Sequence, residues 1–446
     1  MNLKVLIESL GCAKNLVDSE VMMGLLSENS YHLTNIKSEA DIIIVNTCGF
    51  IDAAKQESID VILELAKYKK HGKCKMLVVS GCLAERYSKE LYHELPEVDA
   101  IVGTGNFPEI IQIISDAFKG NRISKAGNID VEISEDLPRI ISTPNYTAYL
   151  KIADGCDNCC TYCIIPRLRG RYRSRKIESI VKEANNMVQN GIKELILIAQ
   201  DTTRYGIDIY HEYKLPELLR KLCSIEGLKW IRLLYCYPEQ ITDELITTIA
   251  EEEKICKYLD MPIQHCNDHI LKIMNRRTNK EHIFNIINKL RQRIPAIHLR
   301  TSLIVGFPGE NEEQFNELVE FVDRVKFDRL GVFAYSQEED TPAAKFSNQI
   351  PESEKLRRQD IIMSIQREIS KQKNNEKIGN FYDILVEEKI EDEGIYLGRT
   401  QYDSPEIDGI VYLNTSQILN KGSFVKAKIV DALEYDLLGE MVDESS

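Results

Sequence analysis

No apolar run in this sequence approaches the roughly 18 residues that a membrane-spanning helix needs. The longest, Ile42 to Val45 and Leu195 to Ala199, have strand length. Met1 to Cys12 hold one Lys, one Glu and only a short apolar stretch, which is no signal peptide; a cytoplasmic protein with no membrane partner is expected. Basic residues are also in short supply. Lys and Arg number 56 against 70 Asp and Glu, a net charge of −14. Neutralising phosphate needs Lys and Arg, so strong direct nucleic-acid binding is not expected. Cysteine is the exception to this scarcity, with twelve in the chain. Disulfides fit a reducing compartment poorly, which leaves metal ligation or catalysis, to be decided by spacing.

At 446 residues the chain exceeds one ordinary domain, and three sections can be read, α/β overall. The first, residues 1–120, alternates buried-looking strands (Val5 to Leu10, Ile42 to Val45, Met76 to Val79, Ala100 to Val102) with helical patterns at Leu16 to Ser27, Ala53 to Lys69 and Leu83 to Leu91. That is a parallel βαβ sheet domain. Residues 121–145, with two prolines and an acidic run, read as a linker. Residues 146–373 repeat strand-then-helix six times, on strands Ala148 to Ala153, Glu194 to Gln200, Trp230 to Tyr235, Tyr258 to Ile263, Leu299 to Val305 and Leu330 to Tyr335. A partial (β/α)6 barrel follows, with its chemistry at the carboxyl ends of the strands. A long polar helix, Glu352 to Lys373, closes it. Residues 378–442 change to short strands between Gly, Pro, Asn and Asp turns, the pattern of a small OB-like β-barrel.

Two cysteine sets carry the chemistry. Cys156, Cys160 and Cys163 have the spacing C-x₃-C-x₂-C just after the first barrel strand. Three thiolates hold three irons of a four-iron cluster and leave one iron open. An open iron can chelate the amino and carboxylate groups of S-adenosylmethionine (SAM) and pass an electron to its sulfonium, releasing a 5′-deoxyadenosyl radical. Tyr162 would lie near the adenine. A zinc knuckle is the plainer alternative, but zinc wants a fourth Cys or His at closed spacing. Cys159 offers a second trio with Cys156 and Cys163; Cys160 is the favoured member. The other set is Cys12, Cys48 and Cys82, each just past a predicted parallel strand and each beside a glycine (Gly11, Gly49, Gly81). The carboxyl ends of parallel strands share one edge, so these three converge there, and a second cluster is expected. Cys74, Cys159, Cys223, Cys236, Cys256 and Cys266 show no such pattern.

The stretches Gly11-Cys-Ala-Lys-Asn-Leu-Val-Asp-Ser-Glu20, Asn46-Thr-Cys48 and Lys151 to Pro166 resemble the methylthiotransferase branch of the radical SAM superfamily. The likeness covers essentially the whole chain, from a methylthiotransferase domain through a radical SAM barrel to a TRAM domain. Gly-Cys-Ala-Lys-Asn is similar to the members that modify a ribosomal protein; the tRNA-modifying members typically carry Gly-Cys-Gln-Met-Asn. Gln200 to Gly206, Asp260 to His265 and Ile304 to Glu310 agree with the former, while Cys159 and Cys266 depart from the family pattern. The resemblance implies methylthiolation of the β-carbon of an aspartate in small-subunit ribosomal protein S-twelve. The radical made at Cys156/Cys160/Cys163 would remove a hydrogen, the Cys12/Cys48/Cys82 cluster would give sulfur, and a second SAM the methyl group. Two 4Fe-4S clusters, SAM and an unidentified electron donor are implied.

Asp201, Gly306, Pro308 and Gly309 follow predicted strands at the cofactor end of the barrel and are candidate SAM contacts; ordinary turn chemistry is the alternative, above all for Pro308-Gly309. The run Arg167-Leu-Arg-Gly-Arg-Tyr-Arg-Ser-Arg175 could hold an acidic group or be a solvated loop. From Ile378 to Ser446, fifteen Asp and Glu stand against five Lys and Arg, a balance of −10 within the chain's −14. Such a domain repels tRNA and attracts a basic partner such as a ribosomal protein. A tRNA methylthiotransferase is the nearest rival, and a non-catalytic iron–sulfur or zinc protein the rival from another class.

Overall fold

The computed structural model describes residues 3–131, 134–390 and 394–442; Met1, Asn2, residues 132–133 of the expected linker, the acidic triplet 391–393 and residues 443–446 lie outside it. In the first section, strands Lys4–Ser9, Ile42–Thr47, Met76–Gly81 and Ala100–Val102 form the centre of a six-stranded sheet paired in parallel throughout. Its central strands are apolar on both faces because helices cover both: Ile43, Val45, Leu77 and Val79 pack into one layer, Ile42, Ile44, Met76 and Val78 into the other. The edges are His32–Leu33 and Ile123–Lys125, the latter inside the segment expected to be linker. Helix α1 (Ala13–Glu28) starts directly at Cys12, three residues earlier than its apolar periodicity begins. The single helix expected from Leu83 to Leu91 breaks at Tyr87 into Cys82–Arg86 and Ser88–Glu94.

The central strands Thr147–Lys151, Glu194–Ile198, Trp230–Leu233, Ile255–Asp260, His298–Val305 and Arg329–Ala334 pair in chain order, all parallel, as an open barrel. The fourth stops before Pro262, which has no N–H for the ladder, so it lies three residues earlier than the periodicity implied. Helices begin where their caps dictate: Thr242 accepts from Leu245 N, and Asn311 forms a capping box with Gln314. The first expected strand divides. Ala153–Asp154 leaves the sheet to pair antiparallel with Arg173–Ser174, which folds the intervening cysteine loop into a hairpin at the barrel mouth.

The third section is a closed barrel of strands Phe381–Ile390, Ile395–Arg399, Val411–Asn414, Phe424–Ala432 and Leu437–Met441. Both outer sections pack on the inner face of the open barrel. Tyr149, Ile196, Ile198, Trp230 and Tyr258 meet Leu16 and Val17 of α1, with Leu385 and Phe424 of the small barrel. Below them, Arg399 of the small barrel and Arg232 both pair with Glu194, at 2.7 and 2.9 Å. Among the described residues no helix is long and apolar enough to cross a membrane.

Candidate active site

The ends of three parallel strands deliver the first cysteine set. Cys12 caps α1, Cys48 follows Ile42–Thr47, and Cys82 opens the short helix after Met76–Gly81. The adjoining glycines are there for space and for backbone. Gly11 has φ +86, and a Cβ on it would lie 2.7 Å from Cys48 Cβ; Gly81 has φ +92, and a Cβ there would lie 2.3 Å from Asn46 Oδ1. Asn15, one turn into α1, ties the three loops together. Its Nδ2 donates to the carbonyls of Leu10 and Thr47 at 3.0 and 2.9 Å, and Cys82 Sγ lies 3.7 Å from its Oδ1. Burial pushes the Cys48 thiol up and holds that of Cys82 at about 12. Burial opposes the thiolate at Cys12 too, yet Lys14, Arg169 and the N–H groups opening α1 bring it below its ordinary value.

The second set lies on the hairpin loop. Cys156 and Cys160 are buried and Cys163 half-buried, whereas Cys159 is exposed. Cys159 adopts φ +51, in the left-handed region, which turns it out of the loop while its carbonyl accepts from Asn275 Nδ2 at 2.9 Å. Gly155 (φ +76) cannot be replaced, because a Cβ would sit 1.9 Å from the Arg171 carbonyl oxygen. Burial pushes the Cys156 thiol up to about 12 and that of Cys163 higher.

Across the seam Cys82 packs in one cluster with Ile164 and Leu168, from the segment that follows Cys163. Arg169 locks this arrangement. Buried, it donates through Nη2 to Asn15 Oδ1 at 2.6 Å and Asp18 Oδ2 at 2.9 Å, and through Nη1 to Asp154 Oδ2 at 3.1 Å. Lys151 joins the same carboxylates, at 2.6 Å from Asp18 and 3.0 Å from Asp154. Burial works against the charge on Asp154, but Lys151 and Arg169 hold its carboxyl far below the usual range. The basic run from Arg167 to Arg175 is therefore two things at once: Arg167 and Arg171 are solvent-exposed, and Arg169 is a buried tie between domains.

Among the described residues no three His, Cys, Asp or Glu side chains are grouped to hold a single metal ion. A four-iron cluster takes each thiolate on a different iron and so accepts a wider set. Each cysteine trio offers three thiols and leaves one iron open, and the glycine cradle gives the first trio room; the donor chemistry fits.

Tyr162 is half-buried against Ile270, Met274, Phe307 and Tyr335, which joins the cysteine loop to the turn at Gly306. Gly306 has φ +68 and is pressed on Lys355 of the long helix Glu352–Asn375, while Gly309 (φ +87) faces open space. Pro308 lies between buried Phe307 and Gly309, and Glu310 fixes the turn by accepting from Phe307 N at 3.1 Å. Asp201 is wholly buried and accepts from Thr203 Oγ1 at 2.6 Å and Asn158 Nδ2 at 3.0 Å, so it orients the cysteine loop. Sequence reasoning missed Asn15, Asp18, Lys151, Asp154, Arg169 and Arg276. For the first two a signal existed: they follow Cys12 at helical spacing. Arg276 gave none. It is buried over the Tyr237 ring, 4.2 Å from ring centre to guanidinium carbon, with Nε and Nη1 unpaired.

An open parallel barrel with a three-cysteine hairpin at its mouth defines a radical SAM enzyme, and the radical SAM superfamily profile matches residues 150–322. The uncharacterized protein family UPF0004 profile matches residues 4–103, and the TRAM domain profile residues 378–442. Among solved structures, the radical SAM methyltransferase TsrM from Kitasatospora setae shares the fold at TM-score 0.55 and 14% identity, over 74% of this chain and 73% of that one. Curated relatives are far more similar. The ribosomal protein uS12 methylthiotransferase RimO of Clostridioides difficile (strain 630) is 56% identical over 442 residues, 99% of each chain. That of Desulforamulus reducens is 55% identical over 435 residues, 97% of this chain and 98% of that one. The chain belongs to the RimO family of radical SAM methylthiotransferases.

Proposed function

We propose that this chain methylthiolates the β-carbon of an aspartate in the small-subunit ribosomal protein S-twelve, by radical carbon–hydrogen activation with sulfur insertion and by methyl transfer. The observation that carries this reading is the three-cysteine hairpin at the mouth of an open parallel barrel, tied through Arg169 to Asn15 and Asp18 of the helix that follows Cys12. 4Fe-4S clusters held there would supply an electron to SAM and the sulfur for insertion.

The chain's own residues hold and orient. Cys156, Cys160 and Cys163 anchor the radical cluster; Cys12, Cys48 and Cys82 anchor the auxiliary one. Tyr162 and the turn Gly306, Pro308 and Gly309 form the apolar side of the SAM site, and Asp201 steadies the loop through Asn158. Arg276, whose Nε and Nη1 have no hydrogen-bond partner, would receive the carboxylate of SAM. Arg169 and Lys151, paired with Asp18 and Asp154, tie α1 to the cysteine hairpin.

The basic substrate docks on the small barrel through Asp383, Glu388, Glu406, Asp431, Glu434 and Glu440, all exposed. Its attraction is weaker than the sequence count implied, because Asp403 pairs with Arg329 at 2.6 Å and Asp408 accepts from Tyr258 at 2.7 Å, both facing the central barrel. The intact mass of the ribosomal protein, from cells with and without this gene, tests the reading. A methylthio increment that disappears with the gene supports it. An unchanged mass, with a methylthio-nucleoside lost from tRNA instead, overturns the substrate.

A further inference from the structure

Three cationic residues of low exposure lie on α1, the first barrel strand and the cysteine hairpin: Lys14, Lys151 and Arg169. Lys151 and Arg169 share the carboxylates of Asp18 and Asp154. Lys14 shares neither. It is only 7% exposed, and among the described residues no carboxylate lies within ion-pair distance of its Nζ and none accepts a hydrogen bond from it. The ammonium sits instead over the Tyr235 ring, 3.2 Å from its centroid. That ring is itself fixed. Tyr235 follows the strand Trp230–Leu233 at the carboxyl end of the barrel, with its N–H donated to Asp260 Oδ2 at 3.0 Å and its carbonyl accepting from Thr202 N at 3.0 Å.

Lys14 is thus a cation with a buried stem and no carboxylate partner, its ammonium over an aromatic face and two residues from Cys12. A ring face is a weaker partner for an ammonium than a carboxylate, so the pairing of Lys14 is left incomplete. An arriving carboxylate would complete it. In aspartate the carboxyl carbon is bonded directly to the β-carbon, so gripping the carboxylate fixes the reacting carbon within one bond.

We propose that Lys14 is the positioning and specificity residue for the target: its ammonium receives the aspartate carboxylate, holds the adjoining β-carbon between the two cysteine sets, and rejects the uncharged asparagine. This rests on the aspartate reading above. The competing role for the same charge is to neutralise the auxiliary cluster at Cys12.

The test uses the reconstituted, anaerobic enzyme and a labelled peptide of the ribosomal-protein loop, carrying either aspartate or asparagine at the target. Binding is read by fluorescence anisotropy and iron by assay. The wild-type enzyme is expected to bind the aspartate peptide at least about tenfold more tightly, the worth of one charge-assisted contact. Lys14→Met should bind both peptides alike with iron content and cluster absorbance unchanged, and Lys14→Arg should restore the preference. A ratio of affinities does not depend on how much of a variant is folded. Retention of the aspartate preference in Lys14→Met overturns the proposal, and so does loss of about half its iron, which assigns Lys14 to the cluster. If the wild-type enzyme adds no methylthio group to the aspartate peptide, the functional reading itself fails and takes this one with it.

Discussion

Glu194 is wholly buried between two guanidiniums, and its charge can be removed without changing its shape. It accepts from Arg399 Nη2 at 2.7 Å, Arg232 Nε at 3.0 Å and Thr147 Oγ1 at 3.0 Å. Burial favours the protonated acid, but Arg399 and Arg232 outweigh it and hold the carboxyl at about 2 against an ordinary 4.5. At about 1.4 kcal/mol per pH unit, the ionised carboxylate contributes on the order of 3 kcal/mol. Glu194→Gln leaves buried Arg232 without a carboxylate and Arg399 with Glu387 alone, a cost of about 3–5 kcal/mol. For a domain of this size the thermal midpoint should fall by on the order of 10 °C. Because the folded pKa is depressed, this stability is fully present above pH 4.5 and is lost as pH falls toward 2; Glu194→Gln should therefore lose the pH dependence in that window. The assay is built in. Trp230 is the single tryptophan of the chain and meets Phe424 of the small barrel edge-on, with ring centroids 4.7 Å apart, so its emission reports on this junction. Replacing Glu194, Arg232 and Arg399 together by apolar residues of similar size should recover most of the loss. A midpoint shifted by less than about 2 °C in Glu194→Gln would refute the reasoning and class the network with surface pairs.

Replacing Cys156, Cys160 and Cys163 by Ala should abolish formation of 5′-deoxyadenosine and remove about half the iron, whereas the Cys12, Cys48 and Cys82 triple variant should keep SAM cleavage and lose sulfur insertion; no loss of iron from the first variant sinks that assignment. Cys159→Ser, at an exposed position, should leave iron and SAM cleavage at wild-type values. Gly11→Ala places a Cβ 2.7 Å from Cys48 Cβ at φ +86, and iron assay should show loss of the auxiliary share alone. His298 stacks on Tyr402 of the small barrel, with centroids 4.0 Å apart, and burial lowers its pKa to about 4 from 6.5. Its neutral ring is stabilising above pH 6.5, and that stability declines between 6.5 and 4, so His298→Phe should flatten the Trp230-detected melting curve across that interval.

Much of the architecture could be read from local pattern. Continuous apolar runs such as Ile42 to Val45 belong to strands buried on both faces, and that periodicity survives any rearrangement of loops. Element ends were less secure wherever a cap or a proline set them: α1 reaches back to Cys12, and the fourth barrel strand stops short of Pro262. The short edge strand Ile123–Lys125 escaped notice because half-exposed strands carry too few apolar residues to stand out. The acidity of the last section was counted correctly, but counting could not tell that Asp403 and Asp408 turn inward.

By itself, then, the sequence marked two cysteine trios as candidate ligand sets, because residue type and strand-end position are properties of short segments. It favoured Cys160 over Cys159; the left-handed backbone at Cys159, whose carbonyl accepts from Asn275 more than a hundred residues away, and the exposure of that thiol belong to the tertiary structure. Nor could the sequence show that Cys82 packs with Ile164 and Leu168, or that Arg169 reaches Asn15 and Asp18 of another domain. Those contacts join segments with no local relation. Only the burial gained when α1 and the small barrel cover the inner face of the open barrel brings them together, and the same burial leaves Lys14 without a carboxylate at the seam.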